Sequence, residues 1–242
     1  MAQAKHVRMI PTCPYILVHP ALAAHYLLEG RALICVVRHG QTDWNIIKRL
    51  QGRQDVPLNE VGMAQAESVA KLLSEIRSAG AAFGTVCSSP LSRASDTADC
   101  IARVLGTGEI KVIDNLIERD YGSLAGLTLD ERKTAFPSGK KQANDVESVP
   151  ATAARMLSAI DDMLAVSGRK SVIAVTHGGM INAVYSRLTS GEIGTGKTLT
   201  VNCSLGFIAA GIGEPIPLAY NLQGDGALSY ITKLIRHGAE IV

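Results

Sequence analysis

Two hydrophobic rhythms alternate along this chain. Short continuous apolar runs occur at Leu33–Val37, Thr85–Ser88, Ile110–Ile113, Val172–Thr176 and Leu205–Ala209, with a weaker sixth at Leu218–Asn221. Runs of this length between turn residues predict strands buried on both faces. The segments between them carry a helical period. After Leu58, Val69, Leu72, Leu73 and Ile76 fall at i, i+3, i+4 and i+7. The next helix is predicted to start with Ser89 as N-cap and Pro90 in its first turn, with Ala94, Ala98, Ile101, Ala102 and Leu105 facing inward. A third helix is predicted from about Pro150 to Val166, with Met156, Leu157, Ile160 and Met163 inward. A fourth begins after Gly178 or Gly179 and turns Ile181, Val184, Tyr185 and Leu188 inward. Such alternation predicts an α/β fold, a parallel sheet with helices on both faces. The polar stretch from Phe136 to Val149 reads as a surface excursion.

Composition narrows the function classes. The 242 residues are 47% hydrophobic and 19% charged, enough for one large domain. Residues 31–242 read as a single domain, and residues 1–30 as an N-terminal extension. The net charge of +2 gives no support to nucleic-acid or membrane binding. No apolar stretch approaches the about 20 residues that a membrane span needs. Cys13, Cys35, Cys87, Cys100 and Cys203 are odd in number and include no CxxC pair, which suits buried thiols in the reducing cytoplasm. In the extension, Lys5 and Arg8 precede an apolar Met9–Val18, and Ala21-Leu22-Ala23 follows, but Pro11, Pro14 and His19 break the pattern of a secretion signal. Ala21–Glu29 is expected to form a short helix ended by Gly30. The extension would cover a sheet edge or form a homodimer contact.

Four clusters carry candidate chemistry. Arg38-His39-Gly40 leaves the first strand, with Asn45 six residues after the histidine. Arg93 falls in the first turn of the helix after the second strand. Glu118 follows the third strand in Glu118-Arg119-Asp120-Tyr121-Gly122, and His177-Gly178-Gly179 follows the fourth. Each cluster alone is unremarkable, but all four lie at C-terminal strand ends, the edge where open α/β sheets bind ligands. Two arginines, two histidines and a glutamate there suit phosphoryl transfer. Arg38, Arg93, His177 and Asn45 would hold a phosphate dianion. One nitrogen of His39 would attack phosphorus, while the other donates to a backbone carbonyl. Glu118 would protonate the leaving group and then activate water. No metal is called for, because arginines would neutralise the charge, and no zinc-type or acidic cluster is evident.

These segments resemble the histidine phosphatase superfamily, the phosphoglycerate-mutase-like proteins, over roughly Ala32 to Asn221. The likeness rests on Arg38-His39-Gly40-Gln41-Thr42-Asp43-Trp44-Asn45, Gln51-Gly52-Arg53-Gln54-Asp55-Val56-Pro57-Leu58-Asn59, Ser88-Ser89-Pro90-Leu91-Ser92-Arg93-Ala94, Glu118-Arg119-Asp120-Tyr121-Gly122 and His177-Gly178-Gly179, in the family's order. It implies a three-layer α/β/α sandwich with a mostly parallel, doubly wound sheet. It implies His39 as phosphorylated nucleophile, a phosphate pocket of Arg38, Arg93 and His177 beside Asn45, and Glu118 as proton donor. Gln51 and Gly52 match positions lining the substrate entrance, Arg119 and Tyr121 match a pair that contacts substrate in the mutases, and Gly178 joins the substrate-binding set. Cofactor-dependent mutases keep an asparagine where Gly179 stands, a lysine where Leu129 stands, and an insertion with paired arginines. Here the stretch between Gly126 and Glu147 carries Lys140-Lys141 instead, and Val146-Glu147-Ser148 is similar to a Gly-Glu-Ser of the phosphatase branch. The expectation is a metal-independent phosphatase without cofactor, acting on a small phosphorylated metabolite. A 2,3-bisphosphoglycerate-dependent phosphoglycerate mutase and a non-catalytic phospho-ligand-binding or regulatory relative are the alternatives.

Overall fold

A computed structural model describes residues 14–81, 83–135 and 145–241. Its elements are, in chain order, β1 (Tyr15–Ile16), α1 (Pro20–Leu28), β2 (Ala32–Arg38), α2 (Asp43–Ile46), α3 (Glu60–Ser78), β3 (Thr85–Ser88), α4 (Ser92–Leu105), β4 (Lys111–Val112), α5 (Leu129–Ala135), α6 (Val149–Val166), β5 (Val172–Thr176), α7 (Gly178–Leu188), β6 (Leu205–Ala210), β7 (Ile216–Leu222) and α8 (Gly224–Arg236). The strands form one sheet in the order β1-β7-β6-β2-β5-β3-β4.

Both faces of the sheet are covered, which is why its central strands are apolar throughout. Along β2, Leu33, Cys35 and Val37 point into a core shared with α1, α3, α4 and α8. Ile34 and Val36 point the other way, into a core filled by Met156, Ile160 and Met163 of α6 and Met180, Ile181, Val184 and Tyr185 of α7. The three-layer α/β/α sandwich follows from this period-2 division.

The expected parallel arrangement holds for β2, β5, β3 and β4, which are paired in parallel. The other half is antiparallel: β6 pairs with β2 and β7, and β1 with β7. The sheet is therefore mixed, although β7 again runs in the direction of β2. The cause is local. Only Gly211–Pro215 separates β6 from β7, too short for a crossover helix, so the chain turns back as a hairpin.

The described part of the extension, residues 14–30, packs on the same sheet. β1 pairs Tyr15 with Tyr220 and Ile16 with Ala219 at the sheet edge. Helix α1 buries Ala23, Ala24 and Leu27, and Gly30 ends it at φ +92°. Helix α4 starts later than expected. Its first residue is Ser92, whose amide and hydroxyl both donate to Asp55 Oδ1 at 2.8 Å. A carboxylate from another loop thus supplies the cap, while Ser89 Oγ accepts from Leu91 N at 3.3 Å and also meets His177. Lys140, Lys141 and most of the polar excursion lie outside the described residues, as does Cys13. Among the described residues, no helix is long and apolar enough to cross a membrane.

Candidate active site

Strand register brings the clusters together. Arg38 sits opposite Thr176 at the ends of β2 and β5, and Ser88 opposite Val175 in β3. The next backbone amides continue the ladder, His39 N donating to Thr176 O and Ser89 N to Val175 O. His39, His177 and Ser89 therefore leave the sheet side by side, at the C-terminal strand edge where strand order switches.

A cavity of about 230 Å³ opens there. It is lined by Arg38, His39, Asn45, Gln51, Gly52, Arg93, Glu118, Tyr121 and Gly178, together with Gly179, Arg49, Leu50, Asn182, Leu199 and Thr200. Two expected residues are not in the lining. His177 is fully buried just behind, with its ring centroid 5.2 Å from that of His39. Arg119 donates through Nε to Glu147 O at 2.7 Å, and its guanidinium lies over the Tyr121 ring. It supports Tyr121 from outside the cavity.

His39 is set by the turn that follows it. Its Nδ1 is 2.6 Å from Gly40 O, and a carbonyl only accepts, so Nδ1 carries the proton and Nε2 keeps its lone pair. The turn is tight because glycines meet there. A Cβ on Gly40 would lie 2.4 Å from Gly62 O, and one on Gly62 would lie 2.0 Å from Gln41 O. Gly40 N also donates to Thr97 Oγ1 on α4. Burial, then Arg38 and Arg93, hold the His39 pKa well below the usual imidazole range, so the ring is neutral at neutral pH.

Arg93 enters from α4, fully buried, and gives Nη1 to Gln54 O at 2.7 Å and Nη2 to Gly52 O at 2.9 Å. Burial lowers its pKa to about 10, which leaves it cationic. Arg38 gives Nη1 to Thr200 O. The Nε atoms of Arg38 and Arg93, Nδ1 of His177 and Oε1 of Gln51 are buried without a partner among the described residues. Buried polar groups are ordinarily paired. Apart from Thr107 Oγ1, which lies elsewhere, the unpaired atoms belong to residues in or just behind one cavity and, Gln51 aside, to groups suited to an oxyanion. His177 is held through Nε2, 2.7 Å from Ser89 Oγ.

Glu118 lies across the cavity at the N-terminus of α7. Its carboxyl accepts from Gly179 N and Met180 N at 3.2 Å and from Arg119 N at 2.8 Å. Burial raises its pKa, while the amides of Arg119 and Gly179 and the two arginines pull the other way. Its loop is anchored by Arg155, which forms a two-point ion pair with Glu147 and donates to the carbonyls of Asn115, Ile117 and Glu118. Gly179 is required by Glu118: a Cβ there would sit 2.5 Å from Glu118 Oε1 and 2.7 Å from Tyr121 Oη.

Several residues of the site carry no sequence signal. Asn182 and Thr200 reach the cavity from α7 and the loop before β6, and Tyr220 donates to Asn182 Oδ1 from behind. Arg49 adds a cation over the Trp44 ring. Asn202 bonds the backbone of His39. Only the one-turn spacing of Asn182 from Gly178 could have been read in advance. Among the described residues, no group of three His, Cys, Asp or Glu is placed to hold a metal ion.

The family model of the histidine phosphatase superfamily (branch 1) matches residues 34–221, and the chain belongs to that superfamily. A metal-independent phosphoserine phosphatase of Arabidopsis thaliana is 35% identical over 182 residues, covering 71% of this chain and 74% of its own. A 2,3-bisphosphoglycerate-dependent phosphoglycerate mutase of Parvibaculum lavamentivorans is 29% identical over 86% of this chain and 98% of its own. Among solved structures, a mycobacterial glucosyl-3-phosphoglycerate phosphatase in complex with VO3 superposes with a TM-score of 0.66 at 25% identity, covering 79% of this chain and all of that one.

Proposed function

We propose that this protein is a metal-independent phosphomonoester hydrolase working through a phosphohistidine on His39. The observation that carries the reading is the His39 tautomer. With Nδ1 committed to Gly40 O, the lone pair on Nε2 belongs to a cavity lined by Arg38 and Arg93.

In the first step the Nε2 lone pair forms a bond to phosphorus, and the bond to the ester oxygen breaks. Arg38, Arg93, Asn45 and the neighbouring His177 hold the three nonbridging oxygens and match their charge. The leaving alkoxide takes the proton of Glu118, whose burial favours the protonated form. In the second step Glu118 takes a proton from water, the water oxygen bonds to phosphorus, and the P–N bond returns its electrons to Nε2. The products are an alcohol and inorganic phosphate.

The donor set supports the absence of a metal role. The lining holds three arginines against one carboxylate, a poor bed for a divalent cation and a good one for a dianion. Hydrolysis is favoured over mutase chemistry by Gly179. The asparagine that a cofactor-dependent mutase keeps there would displace the ends of Glu118 and Tyr121 from the positions they hold beside the glycine. The phosphatase relatives favour a small phosphorylated metabolite as substrate. A cytoplasmic setting fits Cys35, Cys87, Cys100 and Cys203, all free and buried.

The test is hydrolysis of p-nitrophenyl phosphate in excess EDTA, beside an assay of 2,3-bisphosphoglycerate-dependent exchange between phosphoglycerates. The expected result is metal-free hydrolysis with little exchange. Exchange without hydrolysis would return the mutase reading, and neither activity would return the ligand-binding one.

A further inference from the structure

The turn Val201–Ser204 is unusual for its position beside the cavity. Cys203 takes a left-handed conformation, φ +55°, where glycine or asparagine is the ordinary choice. The surroundings hold it there. Cys203 N donates to Arg38 O at 2.9 Å, Ser204 N and Oγ both donate to Val201 O, and Val201 N donates to Asn221 Oδ1 at 2.8 Å. A strained turn held this firmly points to something it must place.

What it places is the amide of Asn202. The Nδ2 of Asn202 donates to the backbone carbonyl of His39 at 2.9 Å and to Oδ1 of Asn45 at 3.3 Å. Asn45 Oδ1 also receives Thr42 N at 3.0 Å and Thr42 Oγ1 at 3.3 Å. Its carbonyl side is thereby occupied by donors from outside the cavity that Asn45 lines. An amide so held cannot flip without setting its NH₂ against the NH₂ of Asn202 and the Thr42 amide. The side left for the cavity is Nδ2, a donor.

We propose that Asn202 is a positioning residue. It orients Asn45 so that Nδ2 donates to the phosphoryl oxygens, and it ties that donor to the backbone of the nucleophile. The inference rests on the phosphoryl-transfer reading above. Asn202 acts on the anion through Asn45, so the part of its effect carried by Asn45 should vanish when Asn45 is gone, while its bond to His39 O is lost equally in both backgrounds and cancels in a double-mutant cycle.

The test is a double-mutant cycle on the full chain, read by calorimetric titration with inorganic phosphate and with orthovanadate, and by steady-state hydrolysis of p-nitrophenyl phosphate. Asn202→Leu keeps the branched heavy-atom skeleton and removes the donor. One neutral hydrogen bond lost corresponds to about a three- to tenfold weakening. Phosphate affinity is expected to fall by that factor, with the same factor on KM and little on kcat. In an Asn45→Ala background the further loss from Asn202→Leu should be clearly smaller, because Asn45 has been removed and only the bond to His39 O remains to be lost. Equal losses in both backgrounds, wild-type affinity in Asn202→Leu, or a loss confined to kcat would overturn the proposal. Should Asn202→Leu not fold, Asn202→Ala enters the same cycle and is judged by the same outcomes. Failure of the unsubstituted protein to bind either anion would sink the phosphoryl-transfer reading itself, which a failed cycle alone would not.

Discussion

Replacing Gly179 by alanine asks for one methyl group where the structure has no space. The new carbon would lie 2.5 Å from Glu118 Oε1, 2.7 Å from Tyr121 Oη and 3.1 Å from Glu118 Cδ. Relaxed contacts are about 3.5 Å, so the misfit is close to 1 Å. All three atoms end side chains, so they can move, but Glu118 can move only by loosening its bonds to Gly179 N and Met180 N. Those bonds are worth about 1 kcal/mol each when the carboxyl is neutral and more when it is ionised. Alanine returns about 1 kcal/mol of helix propensity. The net stability change should therefore be small, about 1–2 kcal/mol, and the variant should fold. Catalysis should suffer far more, because displacing a catalytic group by about 1 Å costs on the order of 10²-fold. The adjacent glycine provides the control. A Cβ on Gly178 would meet nothing closer than Arg38 Nε at 3.4 Å, so Gly178→Ala should lose less than about tenfold. The assay is kcat/KM on an alkyl phosphate beside thermal melting of both variants. Equal activity losses in the two alanine variants, or unimpaired Gly179→Ala, would refute the placement of Glu118 as leaving-group acid.

His39→Ala should abolish turnover and the acid-quenched phosphoenzyme while leaving circular dichroism unchanged; native activity from a folded variant would remove His39 from its role. Glu118→Gln should slow alkyl phosphates by about 10²–10⁴-fold but p-nitrophenyl phosphate much less, since nitrophenolate needs no proton. Because burial raises the Glu118 pKa, the alkaline fall in kcat/KM should begin above the ordinary carboxylate range and disappear in Glu118→Gln; a pH profile unchanged by that substitution would contradict it. His39 and His177 have folded pKa values held well below their unfolded value near 6.5, so the unfolded chain binds more protons below that pH. Thermal stability should therefore rise with pH up to about 6.5, most steeply about a unit or more below it and levelling off through it, and His177→Gln should flatten the rise; identical melting profiles across that range would rule the linkage out.

The fold was largely legible because its strongest signals are local. The Leu33–Val37 run and the Val69, Leu72, Leu73, Ile76 stripe record burial within one element, and β2 and α3 appear where those patterns lie. Helix α8 carries an equally local signal: Ala227, Tyr230, Ile231 and Leu234 fall at i, i+3, i+4 and i+7 and are all buried. Strand β1 is different. Two residues carry no period, and Tyr15 and Ile16 become a strand only because β7 offers an edge.

The sequence by itself determined which residues could do chemistry and that they would leave the sheet at one edge, because a residue placed just after a buried strand has little choice of where to emerge. Only the tertiary structure decided their partners. It gave the cap of α4 to Asp55 and turned Ser89 onto His177. It seated Glu118 on the amides of α7, and it brought Asn202 to a histidine carbonyl 163 residues away. Those contacts depend on strand register and on which loops cross the same edge. Both are set by packing two cores against one sheet, which no window of neighbouring residues records.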